Sequence, residues 1–160
     1  MKRKKLTASM IALVMSVSLP MTTYAANWYL EDGSVTVNAD NSGQTVTQGG
    51  TSTPDEAPVI TQRESSVETG NTIGISTSDN ATANVTIKDI NIKSSKDAID
   101  VTGSSSANIT LEGDNKIFSE TGSALHVSNG NVTINGSGSL KAEIQDEPFG
   151  YNHNAKIGSH

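Results

Sequence analysis

The chain has 160 residues, of which 34% are hydrophobic and 4% aromatic, and it contains no cysteine. The lack of cysteine excludes disulfides, thiol nucleophiles and cysteine-ligated zinc or iron–sulfur centres. The length fits one compact domain, and an apolar content rich in Val and Ile favours thin β-layers over a bulky helical core.

The N-terminal segment, residues 1–26, has the three parts of a secretory signal peptide. Residues 2–5 are basic, residues 6–19 form an apolar run too short for a comfortable membrane span, and small residues at Ala25 and Ala26 suit a peptidase cut. We therefore expect residues 1–26 to be removed and the mature chain to be secreted or attached to the cell surface. If the segment stays uncleaved, it is the predicted contact with a membrane.

Removal of the signal peptide leaves an acidic protein. Four of the 11 basic residues lie in it and none of the 17 acidic ones, so 7 basic residues remain against 17 acidic ones. Such a chain repels nucleic-acid phosphates and anionic lipids, and we predict no nucleic-acid partner. It can recruit calcium where carboxylates converge.

The remaining chain repeats itself at intervals of about 25 residues. Asn-Val-Thr-Ile and its variants occupy residues 84–87, 108–111 and 131–134. A second apolar pattern occupies residues 73–75, 99–101 and 125–127. A third apolar stretch contains Ile90 and Ile92, then Ile117 and Phe118, then Leu140, Ala142 and Ile144. Each unit therefore predicts three short strands, separated by turns of Gly, Asn and Ser.

Three short strands per repeat predict an all-β, right-handed parallel β-helix (a solenoid) in which each repeat forms one coil. Stacked coils would align equivalent residues about 4.8 Å apart. The predicted inward ladder is Val85, Ile109 and Val132. The predicted outward ladder is Asn84, Asn108 and Asn131, whose amides would hydrogen-bond along the stack. An antiparallel β-sandwich is the alternative, but it gives no reason for residue types to recur at a fixed interval.

The repeats place the β-helix at residues 58–160 and leave residues 27–57 as an N-terminal lead-in or capping segment. A coil is predicted to begin at Pro58 with its middle strand at Ser66-Val67, and Ser34–Val37 resembles the start of an earlier coil. Residues 48–54 look like a loop.

The end of the chain also indicates a strand. Residues 155–158 read Ala-Lys-Ile-Gly and look like the start of another strand. We therefore expect further C-terminal sequence, with the β-helix truncated at residue 160. The alternative is that a partner caps the last coil.

These patterns resemble secreted bacterial parallel β-helix proteins of the carbohydrate-binding-domain type. The resemblance is carried by the Asn-Val-Thr-Ile units, by Ser-Lys-Asp-Ala-Ile-Asp-Val at residues 95–101, and by residues 155–158, and it covers about residues 58–158. It implies a fold similar to the pectate-lyase β-helix, binding of plant or microbial polysaccharides, and calcium held by acidic residues in the coil turns.

Four acidic residues form the predicted calcium site. Asp97 and Asp100 flank the turn into a third strand, and Asp114 and Glu120 of the next coil are placed to approach them. The structural alternative is that these are ordinary turn aspartates, which cap strands by local hydrogen bonds.

Aromatic residues are the predicted sugar contacts, since sugars pack on rings with polar groups at their edges. Phe149 and Tyr151, in one polar loop, are the predicted ligand-binding pair. Phe118 is expected to pack inside. Trp28 is expected to plug the first coil, and His126 to face outward without a carboxylate partner.

We therefore predict a secreted or cell-surface binding module for carbohydrate, without catalysis. A structural stalk or adhesin spacer is the alternative. A polysaccharide lyase or hydrolase is the third class, in which Lys93, Lys96 and Asp97 would contribute to the reactive cluster. Salt pairs on a solvated surface explain the same residues more simply.

Overall fold

The computed structural model describes residues 25–145 and 157–159. The predicted signal peptide, up to residue 24, lies outside these ranges, as do residues 146–156. The described residues form an all-β solenoid with three sheets along one axis, as predicted. No helix among them is long and apolar enough to cross a lipid bilayer.

Each sheet collects one strand from successive coils. The first sheet contains, in order, β1 (Asn27–Tyr29), β5 (Val59–Thr61), β7 (Thr82–Lys88), β10 (Ser106–Glu112) and β13 (Asn131–Gly136). The second contains β8 (Asn91–Ser94), β11 (Asp114–Ser119) and β14 (Ser139–Ile144). The third contains β15 (Ile157–Ser159), β12 (Leu125–Ser128), β9 (Ile99–Gly103), β6 (Ile73–Thr77), β2 (Val35–Asp40), β3 (Gly43–Gln48) and β4 (Thr51–Pro54). Strands β7 to β15 therefore make three full coils.

The alternation of side chains along each strand creates a single core. In β7, buried Ala83, Val85 and Ile87 alternate with residues that face outward. On the third sheet, Ile73 pairs with Ile99 and Ile99 with Leu125, which confirms the alignment of these repeats predicted from the sequence. Because each coil places branched apolar side chains above the last, the core is a continuous column along the axis.

The predicted register of the last coil is wrong by two positions. Asn108 pairs with Asn84, and their side chains hydrogen-bond at 3.1 Å, but on its other side Asn108 pairs with Thr133 and not with Asn131. Ile109 likewise pairs with Ile134 and not with Val132. A shift of two positions keeps the same side chains on the same face of the strand, because the side-chain period of a strand is two.

The segment before residue 58 folds as part of the solenoid. Strand β1 joins the first sheet, a 3₁₀ turn follows at Leu30–Asp32, and β2 pairs in parallel with β6. Residues 35–37 therefore belong to the last strand of a coil, and residue 34 directly precedes that strand. These residues do not begin a coil. Trp28 packs against the core, as predicted.

Two antiparallel strands, β3 and β4, extend the third sheet beyond β2 and form its edge. Strand β3 pairs antiparallel with β2, and β4 pairs antiparallel with β3, so the prediction of a loop at residues 48–54 is wrong except for the turn at Gly49-Gly50. Strand β4 is exposed along its length and ends at Pro54. Proline and polar side chains on an edge strand oppose further pairing.

The coil that contains β5 and β6 is irregular at its middle. The predicted strand at Ser66-Val67 is absent from the described fold, and Val67 is 55% exposed. A single bridge from Thr69 to Ile92 takes its place.

Candidate functional site

The outward face of the second sheet carries a group of basic and aromatic side chains. We call Lys93, Lys116, Phe118, Lys141 and Glu143 the Lys–Phe face. In β11 the buried residues are Asn115, Ile117 and Ser119, so Lys116 and Phe118 lie on the opposite, outward side. The prediction that Phe118 packs inside is therefore wrong.

Strand register places these residues in two rows. Phe118 lies between Lys93 and Glu143 of the neighbouring strands, and Lys116 pairs with Lys141. The ammonium of Lys93 lies 5.8 Å from the centre of the Phe118 ring. An open groove of about 200 Å³ is lined by Lys93, Lys116, Phe118 and Glu143 of this face.

Carboxylates hold two of the lysines in place. Lys93 Nζ lies 3.8 Å from Glu68 Oε2, and Lys141 Nζ lies 3.0 Å from Glu143 Oε1. All four side chains are between 46% and 64% exposed, so these pairs are solvated and contribute little to folding. Their charged groups are accessible to a ligand.

A second group lies at the beginning of strands β9 and β12 of the third sheet. We call Asp97, Asp100 and His126 the His–Asp cluster, because one ligand atom from each lies within 4.8 Å of the others. His126 Nδ1 is 2.8 Å from Asp100 Oδ1 and 3.9 Å from Asp97 Oδ2. His126 does face outward, but the prediction that it lacks a carboxylate partner is wrong.

The fold explains why these three residues meet. Asp100 and His126 are paired residues on β9 and β12. Asp97 precedes β9, and its Oδ1 accepts a hydrogen bond from the backbone N–H of Ser123 at 2.5 Å. One carboxylate oxygen is thereby anchored to the next coil, while Oδ2 is directed toward His126.

The cluster contains two of the four predicted calcium ligands. Asp114 begins β11, where its carboxylate accepts a hydrogen bond from Ser139 Oγ at 2.9 Å, and it is not one of the three clustered residues. Glu120 follows β11, where its backbone N–H bonds to Ser94, and it is also outside the group. Calcium prefers six to eight oxygen ligands, whereas two carboxylates and an imidazole form a donor set suited to zinc and related ions.

We expect the His–Asp cluster to bind a divalent cation, with Asp100→Asn lowering the affinity at least tenfold by removing a charged ligand. Calorimetric titration of the mature protein with calcium and with zinc measures this. The matched control is Asp114→Asn, which removes the same charge outside the cluster. Equal weakening by both variants would support the four-carboxylate calcium prediction, and no heat with either ion would contradict a cation site.

Arg63 is the single arginine after residue 26, and it lies on neither of these groups. Arg63 donates to Asp32 at 2.9 and 2.7 Å and lies 4.0 Å from the ring centre of Tyr29. The hydrogen bond with Asp32 raises the pKa of Arg63 above its ordinary value and lowers the pKa of Asp32. Arg63 is therefore held as a cation, which is not the state of a general base.

The predicted sugar contacts Phe149 and Tyr151 lie outside the described residues, so their role stays a prediction. No family model, curated protein or solved structure matches the chain.

Proposed function

We propose that this protein is a secreted or cell-surface module that binds carbohydrate through the Lys–Phe face. The observation that carries the proposal is an outward aromatic ring, Phe118, set among lysine and carboxylate side chains on a regular sheet surface. A ring supplies a stacking surface for a sugar, and charged groups beside it supply directional hydrogen bonds.

The charge of this face favours an acidic polysaccharide. The part of the chain that the structure describes has six Lys and Arg residues after residue 26, and three of them belong to the Lys–Phe face. They stand out in a mature chain with 17 acidic residues. A polymer with carboxylates, lying along the stack, would meet a lysine on successive coils about 4.8 Å apart.

Export is part of the proposal, and it is supported by the basic, apolar and small-residue segments of residues 1–26. The resemblance to carbohydrate-binding β-helix proteins supports the same ligand class. The proposed cofactor at Asp97 and Asp100 is a divalent cation: the resemblance favours calcium, and the imidazole of His126 beside the two carboxylates favours zinc. A structural stalk without a ligand would have the same coils. The binding experiment below distinguishes such a stalk from a carbohydrate-binding module.

The test is co-sedimentation of the mature protein with insoluble plant, fungal and bacterial wall polysaccharides, each with and without a chelator. We expect retention on at least one acidic polymer, falling as salt is added. Loss of retention with chelator would extend the site to the His–Asp cluster. A folded protein that is retained by none would contradict carbohydrate binding and favour the stalk.

A charge-matched pair of variants locates the binding surface. We expect Lys93→Gln to weaken binding to the polysaccharide about tenfold, because it removes the ammonium beside Phe118. A tenfold change corresponds to about 1.4 kcal/mol of binding free energy. The control is Lys88→Gln on the first sheet, where Lys88 pairs with Glu112 and is 47% exposed, against 46% for Lys93. Equal effects of the two variants would indicate a general charge effect and contradict a site on this face.

A further inference from the structure

One carboxylate is buried at the start of the solenoid. Asp55 is 3% exposed. Its Oδ2 accepts hydrogen bonds from the indole N–H of Trp28 at 2.8 Å and from the backbone N–H of Ala26 at 3.2 Å. Its Oδ1 accepts the backbone N–H of Ala57 at 3.1 Å.

This carboxylate has hydrogen bonds, but the part of the chain that the structure describes places no cation beside it. Among the ion pairs of the described residues, none includes Asp55. Burial of a carboxylate without an opposite charge is costly, even when its oxygens accept hydrogen bonds. The position of Asp55 therefore calls for a positive charge close to Oδ2.

The sequence before Ala26 offers a source for that charge. Residues 23–26 read Thr-Tyr-Ala-Ala, and a signal peptidase prefers small residues at the last and third-last positions before its cut. A cut between Ala25 and Ala26 has Ala25 and Thr23 at those positions. The new α-amino group would then be the nitrogen of Ala26, which already lies 3.2 Å from the buried carboxylate.

We infer that leader cleavage occurs between Ala25 and Ala26, one residue before the boundary expected from the sequence, and that the new α-ammonium of Ala26 forms an ion pair with buried Asp55. Processing would in this way turn a neutral amide donor into a charged one and strengthen the first coil. The inference rests on the proposed export of the chain, and it adds the cleavage position and its structural consequence.

Ala26 is held in place by the fold and needs no rearrangement to make the pair. Its carbonyl accepts a hydrogen bond from the Val59 N–H at 2.9 Å, and the next residue, Asn27, pairs with Val59 in the first sheet. A cut one residue later, before Asn27, would remove both the donor to Asp55 and the acceptor for Val59. The geometry thus favours one of the two candidate cuts.

The first test is intact-mass analysis of the protein after export by a bacterial host that expresses the full chain. We expect a mature species that begins at Ala26. A species that begins at Asn27 or at another residue would overturn the inference while leaving export intact. A chain that is neither exported nor cleaved would overturn both the inference and the proposed localisation.

The second test compares thermal unfolding of two mature chains that begin at Ala26 and at Ala25, each released from a cleavable fusion. The longer chain keeps a neutral peptide N–H at Ala26, and we expect its Tm to be lower by about 3 °C. In the Asp55→Asn background the difference between the two chains should vanish. Trp28 is the only tryptophan, so its fluorescence reports unfolding beside Asp55.

Where Asp55→Asn fails to fold, acetylation of the Ala26 α-amino group in the unmodified mature protein replaces it as a test. Acetylation removes the charge and keeps the N–H, and it should lower Tm by a similar amount. An unchanged Tm after acetylation, or equal Tm values for the Ala26 and Ala25 chains, would contradict the ion pair.

Discussion

Replacement of Gly103 by alanine is expected to lower the free energy of unfolding by about 4 kcal/mol, at the upper end for single substitutions. Gly103 ends β9 with a φ of 114°, where the chain turns toward β10. A Cβ atom built there would lie 1.9 Å from the carbonyl oxygen of Thr77 in the preceding coil. Since both groups are backbone, neither has a rotamer that relieves the overlap. Urea denaturation followed by circular dichroism measures the loss.

The matched control for this prediction is Gly33→Ala. Gly33 has a similar φ of 128°, but a Cβ there would meet nothing within 4 Å. The Gly33→Ala substitution should therefore lower the free energy of unfolding only by the conformational strain of a positive φ, about 1 kcal/mol. If the two variants lost equal stability, backbone conformation alone would explain Gly103, and the close approach between coils would be contradicted.

Ile99→Ala is expected to have the second-largest effect, about 3 kcal/mol. Ile99 is 1% exposed and pairs with Ile73 on one side and Leu125 on the other. Truncation leaves a cavity between two coils, and the flanking strands are fixed by their backbone hydrogen bonds and close poorly around it. The same denaturation experiment measures the change.

Val67→Ala is the control for the buried isoleucine. Val67 is also branched and apolar but is 55% exposed, and its substitution should change stability by less than about 0.5 kcal/mol. Similar losses for Ile99→Ala and Val67→Ala would contradict a core that runs along the solenoid axis.

The parallel solenoid was predictable because equivalent positions of stacked coils need similar side chains. The alignment along the third sheet, from Ile73 to Ile99 to Leu125, was correct, since both apolar positions of each unit fill the core. The last register was not predictable from the resemblance of residues 131–134 to 108–111. Pairing Ile109 with either Val132 or Ile134 puts both of those side chains on the same face of the strand, so the alternation of residue types does not distinguish the two registers.

The candidate sites were predictable only in part, because they also depend on which residues the stacked coils bring side by side. The correct alignment of the third sheet already pairs Asp100 with His126, so the His–Asp contact was accessible from the sequence. Phe118 follows Ile117 in an apolar stretch, but strict alternation from Asn115 puts its side chain outside. The burial of Asp55 depends on how the β3–β4 hairpin folds back over the first coil, and no local pattern encodes that.

The most direct test of carbohydrate binding by the Lys–Phe face is the affinity of the Phe118→Ala variant for a polysaccharide that retains the unmodified protein. Its control is Tyr29→Ala, which removes another half-buried strand aromatic that faces Arg63 on the first sheet. We predict that Phe118→Ala weakens binding at least tenfold, while Tyr29→Ala binds like the unmodified protein. Unchanged affinity in a folded Phe118→Ala protein would contradict the proposed face.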